Sequence, residues 1–161
     1  MKLRVVEEKL SKRANILSSF VRLLRDEGIF EFDPEDFYSR LKLQRYVFIA
    51  RKFGLDLGYD FPLYMGGPYS PELADDYYSL PDEAGALPEF DKRGFLDLVR
   101  GKDTDWLEAT ATILSIYEDH RDLRWAIERT AELKPWIPEE KMKGIVEDLG
   151  KAGLIPDSSS Y

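Results

Sequence analysis

Side chains able to do chemistry are few in this chain and poorly grouped. There is no cysteine and His120 is the only histidine. A thiolate metal site, a Cys nucleophile and a disulfide framework are thereby excluded, and a Ser–His–Asp relay has a single base to draw on. His120 lies in Glu118-Asp119-His120-Arg121-Asp122, a charged junction with nothing at the spacing of His-Glu-x-x-His. It reads as a solvated surface histidine. Ser70 lacks the Gly-x-Ser-x-Gly elbow that would expose a nucleophile. The paired acids are Asp75-Asp76, Asp82-Glu83, Asp103 with Asp105, and Glu139-Glu140. Paired carboxylates do general acid–base work only where burial splits their pKa values. These pairs fall at helix starts, on polar faces or in a loop, where the helix dipole and solubility account for them. The expectation is a protein with no catalytic residue, no metal and no cofactor.

Three other groups suit binding. In Gly66-Gly67-Pro68-Tyr69-Ser70 a glycine pair precedes a helix start, a place where backbone N–H groups can cradle an anion. Pro68 and Pro71 each remove a donor there and no P-loop lysine follows, so the segment reads as a tight strand-to-helix turn with Ser70 as N-cap. Tyr59, Tyr64, Tyr69, Tyr77 and Tyr78, with Phe61 and Met65, concentrate aromatic and soft side chains between residues 59 and 78. Most must be core, but Tyr and Met are favoured at interfaces, and Tyr64 points away from the Phe61/Leu63 face of the expected strand. Tyr64, Gly66, Gly67, Pro68 and Tyr69 are therefore the candidate partner-binding residues. The basic cluster Arg40, Lys42, Arg45, Arg51 and Lys52 is the alternative, a nucleic-acid contact. On a helical wheel it splits into Arg40 and Arg51, with Gln44, on one side and Lys42, Arg45 and Lys52 on another. A recognition helix would gather its basic residues on one exposed face. Snorkelling beside the apolar arc and ion pairing with acids further along the chain is the competing account.

Overall charge supports that account. The 161 residues carry 23 Lys plus Arg and 31 Asp plus Glu, a net of −8. Residues 1–60 are net +2 and residues 61–161 net −10, so most of the surface repels phosphate backbones. The length fits one domain of ordinary size, and 43% apolar residues suffice for a core. No apolar run approaches the roughly 20 residues needed to span a bilayer, and the first residues do not read as a signal peptide. The expected compartment is the cytoplasm, with no membrane association. Asn15 and Gln44 are the only side-chain amides and 34% of residues are charged, a composition typical of proteins from hot environments.

The elements that must position these residues are mostly helices. Leu10, Ala14, Leu17, Val21 and Leu24 recur at steps of four and three, the stripe of an amphipathic helix ending near Gly28. Asp33-Pro34-Glu35-Asp36 reads as the next start, with Asp33 as N-cap and Pro34 in the first turn. That helix runs to Phe53 and stops at Gly54. Its apolar residues spread beyond one arc, which predicts a central position. Residues 58–65 alternate as a short strand that Pro62 confines to an edge. Ser70-Pro71-Glu72 opens a third helix carrying Leu73 and Tyr77. The segment 81–91, rich in Pro, Gly and acid, is the candidate subdomain boundary or flap. Further helices are expected over Thr104–Glu118, Leu123–Leu133 and Glu139–Leu149. The expectation is a mainly α, compact multi-helix single domain over 1–155 with one short β element near 58–65 and a frayed tail over 156–161.

Residues 39–80 also resemble a known family. Ser39-Arg40-Leu41-Lys42-Leu43-Gln44-Arg45-Tyr46-Val47-Phe48-Ile49-Ala50 is similar to the "KLQKLVYLA"-type helix of a prokaryotic family in which a "GPYSPEL" turn and helix follow a short aromatic strand. Here that turn is Gly67-Pro68-Tyr69-Ser70-Pro71-Glu72-Leu73. The pairing resembles the YwgA-type proteins and the SocA-like, or Panacea, antitoxin-associated domain. The resemblance implies a small helical non-enzymatic domain that binds a toxin-like or client protein, with the motif residues as structural positions. The combined expectation is a protein-interaction module, antitoxin-like or adaptor-like, binding through the strand–turn–helix region. The alternative is a winged-helix-like DNA-binding regulator using the basic second helix.

Overall fold

The computed structural model describes residues 2–64, 66–82 and 85–156, with side chains from Lys12 onward. Seven helices and one two-stranded hairpin make up the described chain, so it is mainly α, as the hydrophobic spacing indicates. Among the described residues no helix is long and apolar enough to cross a membrane.

The first helix, α1 (Lys2–Asp26), is longer than its apolar stripe. It buries Leu17, Phe20 and Leu24 and closes at Gly28. Phe30 and Phe32 then lie against Tyr46 and Tyr77, with ring centroids 5.1 and 5.5 Å apart. The second helix, α2 (Phe37–Ala50), starts three residues later than expected because Asp36, not Asp33, is its N-cap. The Asp36 carboxylate accepts the Ser39 N–H at 3.2 Å. Asp33 instead closes a tight turn, its carboxylate accepting the Glu35 N–H and its own N–H donating to Ser39 Oγ. Two aspartates compete for one helix start, and the one that also frees a serine hydroxyl to bind the preceding turn takes it. Arg51–Phe53 continues α2 as a single 3-10 turn, ended by Gly54 at φ +95°.

The segment 55–61 keeps the alternation expected of a strand. Leu55, Leu57 and Tyr59 are buried while Asp56, Gly58 and Asp60 are exposed. It nevertheless joins no ladder among the described residues. Pairing is confined to β1 (Leu63–Tyr64) and β2 (Gly67–Pro68), antiparallel with Leu63 opposite Pro68 and Tyr64 opposite Gly67. Alternation here marks an extended chain pressed on a core, and Pro62 leaves the ladder little room to extend. Ser70 then caps α3 (Pro71–Tyr77), its hydroxyl accepting the Leu73 N–H with Pro71 in the first turn, as the sequence indicates.

Pro81 and Gly85 lie against α1. Ser18 Oγ donates to the Pro81 carbonyl at 2.9 Å, and the Gly85 N–H donates to the Asn15 carbonyl at 3.0 Å. The next helix, α4 (Lys92–Val99), has no counterpart in the sequence-based expectation. Its signal is Asp91, which accepts the Gly94 N–H, followed by Phe95, Leu96, Leu98 and Val99, all buried. Eight residues offer only two turns of periodicity, too few to stand out beside a loop rich in Pro and Gly. The last three helices, α5 (Thr104–His120), α6 (Leu123–Leu133) and α7 (Glu139–Lys151), match expectation closely. Asp103 and Asp122 cap the first two. The expected frayed tail lies outside the described residues from 157 on.

The centre of the molecule is shared. α2 buries every residue from Leu43 to Ala50, and α5 buries every residue from Trp106 to Ile116. The two helices pack together, and α5 also meets α6, α7 and the hairpin. A helix buried on all sides must satisfy any polar side chain it carries from within. Both central helices carry such side chains.

Candidate functional site

Gln44 and Arg45 are buried on α2, at 0% and 1% exposure, and both point at the hairpin-to-helix turn. The Gln44 amide clamps one residue from both sides: Nε2 donates to the Ser70 carbonyl at 2.9 Å and Oε1 accepts the Ser70 N–H at 2.8 Å. A side-chain amide used in this way satisfies two backbone groups that would otherwise be orphaned at a helix start. Ser70 is fully buried, so these bonds run in a medium of low polarity where an unmade one is costly.

Arg45 organises the turn just before it. Its guanidinium donates to the Pro68 carbonyl and, at 3.0 Å, to the Gly66 carbonyl. The same group forks onto Glu108 of α5, Nε to Oε1 at 2.8 Å and Nη2 to Oε2 at 3.1 Å. Lys134, just past α6, completes a buried trio, with Nζ 3.4 Å from Glu108 Oε2 and 3.0 Å from the Gly66 carbonyl. Burial pushes the Lys134 ammonium below its ordinary pKa while Glu108 opposes that shift. Gly67 sits under the guanidinium at φ +124°, and a Cβ there would lie 2.9 Å from Thr112 Oγ1 and 3.3 Å from Arg45 Nη2. Only glycine tolerates both the dihedral and the close approach.

This scaffold presents an aromatic ridge. Tyr64 is 54% exposed at the hairpin and stands edge-on to Tyr69, centroids 6.0 Å apart. Tyr69 is half-buried beside Tyr77, whose phenol burial pushes well above the usual tyrosine range, with Tyr69 adding to the shift. Tyr77 packs on Tyr78 at 5.0 Å. Arg40 then lies over Tyr78 at 5.7 Å and over Phe37 at 5.9 Å, and Phe37 meets Tyr38 edge-on at 5.4 Å. Phe37, Tyr38 and Tyr78 are each about 60% exposed. Exposed rings at the start of α2 and the end of α3 thus flank Arg40, and buried Tyr77 and half-buried Tyr69 join them to exposed Tyr64 at the hairpin.

Of the five partner-binding candidates, Tyr64 and Tyr69 lie on the strip. Gly66 is exposed at the turn, while Gly67 and Pro68 are buried within it. The basic cluster forms no common face. Arg45 is enclosed by Glu108 and backbone carbonyls, and Arg51 and Lys52 both pair with Glu118 of α5, at 3.7 and 2.9 Å. Arg40 belongs to the aromatic strip and donates to the Pro34 carbonyl. Lys42 is half-buried and makes no ion pair among the described residues. With Leu43–Ala50 fully enclosed, α2 has no free side to lay in a major groove. His120 is exposed and packs edge-on against Trp125 at 4.5 Å. Among the described residues no group of three or more His, Cys, Asp or Glu is placed to hold a metal ion.

Phe37 and Tyr38 carry no signal in the sequence, and Tyr78 stands there only as one of the clustered aromatics. Phe37 and Tyr38 open a helix whose later residues are core, and Tyr78 follows a buried tyrosine; only their register decides which rings face out. Glu108 and Lys134 also went unnoticed, since a lone acid within an apolar helix and a lysine before a proline carry no motif. Comparison of the chain with family models, with curated proteins and with solved structures returns no match.

Proposed function

We propose that this chain is a protein-interaction module that engages a partner protein through the aromatic ridge. The ridge itself carries the reading: exposed Phe37, Tyr38 and Tyr78 gather at Arg40, and Tyr77 and Tyr69 link them to exposed Tyr64 at the hairpin. Tyrosine and arginine are the residues that dominate binding energy in protein interfaces, because rigid rings bury much area at small entropic cost. Scattered exposed apolar residues need no explanation, whereas a connected strip does. The likeness of residues 39–80 to the YwgA-type and SocA-like families supports the same reading and suggests an antitoxin-like or adaptor-like role for a toxin-like or client partner. Gln44, Arg45 and Gly67, which fall within those motif segments, then serve as the frame that holds the ridge.

The test is affinity capture from the source organism, comparing the wild-type chain with a Tyr64→Ala/Tyr78→Ala variant. Both rings are more than half exposed, so the variant keeps its urea midpoint and circular dichroism. A partner protein recovered by the wild type and lost by the variant is the expected result, since each hot-spot truncation costs about 2 kcal/mol or more. Equal recovery by both proteins refutes the ridge as the interface. The DNA-binding alternative is separated by titrating labelled duplex at low ionic strength, where phosphate contacts give affinity that falls steeply with salt.

A further inference from the structure

A second surface lies on the far helices and shares no residue with the ridge. Between α6 and α7 runs a groove of about 570 Å³. Its floor is apolar, formed by Ile127, Ala131, Ile137, Met142 and Val146. Its rim carries Glu128, Glu139 and Glu147 against one cation, Lys143, a net of −2 among the lining residues. The rim acids are held only by exposed partners: Arg124 lies 3.3 Å from Glu128, and Lys143 lies 3.9 Å from Glu139, with every one of these side chains more than 60% exposed. Exposed pairs of this kind contribute well under about 1 kcal/mol, so the carboxylates are free to exchange partners.

From this we infer that the α6–α7 groove docks a cationic amphipathic helix of a partner protein. The floor offers apolar contact along two helices, the arrangement that receives side chains at i, i+3, i+4 and i+7 of a docking helix. The rim supplies the charge complement to lysines and arginines flanking that stripe, within a C-terminal two-thirds that is net −10. A small-molecule site would instead aim a few polar groups inward from an enclosed wall. Here every charged side chain stands at the edge.

The probe is a labelled synthetic peptide of about 14 residues, four helical turns, with leucines at i, i+3, i+4 and i+7 spacing and lysines elsewhere. Anisotropy titrations compare it with a peptide of the same composition whose leucines are scattered around the helix. The designed peptide binds the wild-type chain and the scattered one binds at least tenfold more weakly. A Glu128→Lys/Glu139→Lys/Glu147→Lys variant loses tenfold or more. An Asp60→Lys/Asp75→Lys/Glu89→Lys variant, equal in charge change but exposed elsewhere, keeps its affinity to within about threefold. All six positions are exposed, so folding is not at stake. Equal binding of the two peptides, or equal losses in the two variants, reduces the effect to net charge and overturns the inference. Absence of binding overturns it too, as does a groove variant that turns a dimer into a monomer, which would assign the groove to a second copy of this chain. The Tyr64→Ala/Tyr78→Ala variant binds the peptide as the wild type does, so failure at one surface is told apart from failure at the other.

Discussion

Replacing Glu108 with Gln tests the buried trio most directly. Glu108 is the one anion between two cations, 2.8 Å from Arg45 and 3.4 Å from Lys134, with side-chain exposures of 10%, 2% and 2%. At an effective dielectric constant of about 20, each contact near 3 Å is worth about 5 kcal/mol of attraction. Glutamine keeps the shape and gives up both attractions, leaving Arg45 and Lys134 to repel each other. Breaking a buried pair by removing one partner typically costs about 3–5 kcal/mol. The upper end is also set by an escape route: Lys134 can shed its proton, which at pH 7 costs about 5 kcal/mol from an ordinary lysine pKa and less once burial has lowered it. The expected loss for Glu108→Gln is therefore about 3–5 kcal/mol, read as a lower urea midpoint at an unchanged m-value. Lys134→Met keeps the bidentate Arg45–Glu108 pair and removes a charge that burial disfavours, so it costs about 1 kcal/mol or less. In the double variant the repulsion is gone, and coupling of at least about 1 kcal/mol is expected. A pH signature accompanies it. In Glu108→Gln the folded chain holds Lys134 with a pKa below that of the unfolded chain, so the unfolded state binds more protons. Stability of that variant then rises between pH 7 and about 10, and Lys134→Met abolishes the rise. A loss below 1 kcal/mol for Glu108→Gln, or additive single substitutions, would refute the trio as a coupled unit.

Gln44→Leu should cost about 2–4 kcal/mol, since it strands the buried N–H and carbonyl of Ser70; chemical unfolding measures the loss, and amide exchange at Leu73 should accelerate as the helix start loosens. Thr112→Val should be neutral or stabilising by about 1 kcal/mol, because the Thr112 hydroxyl is buried with no hydrogen-bond partner among the described residues; a clear loss in thermal midpoint would show that the hydroxyl is bonded after all. Alkaline unfolding should begin above pH 10. Burial pushes Tyr46 up to about 12 and raises Tyr59 and Tyr77 as well, so the unfolded chain releases phenolic protons that the folded chain retains. Stability present below pH 10 is lost as pH rises, by about 2 kcal/mol for Tyr46 alone at pH 12, and Tyr46→Phe should reduce that slope.

Local signals account for most of the helices. Ser70-Pro71, Asp103 and Asp122 mark their starts through caps that a chain satisfies with its own neighbouring atoms. Where two such signals compete, as at Asp33 and Asp36, cap preference alone does not rank them, because the bond from the Asp33 N–H to Ser39 Oγ breaks the tie. The short helix α4 went unseen since its warrant is Phe95 lodged against Phe20 and Phe53, with centroids 5.6 and 6.0 Å away, contacts that periodicity over eight residues cannot express.

By itself the sequence determined the helical class, the scarcity of reactive side chains, and the charge division of +2 and −10. These are properties of composition and of spacing within one element, and no partner element is needed to read them. Tertiary structure alone decided that Arg45 of the basic second helix turns inward to Glu108, Lys134 and the hairpin carbonyls, while Phe37, Tyr38 and Tyr78 turn outward. The direction of a side chain on a central helix depends on which neighbours close around it, and those neighbours lie 63 and 89 residues further along the chain. A buried cation tolerates its position only where an anion and carbonyls meet it. The interior thus claimed Arg45, in line with the internal pairing that the charge balance favours, and left Phe37, Tyr38 and Tyr78 at the surface.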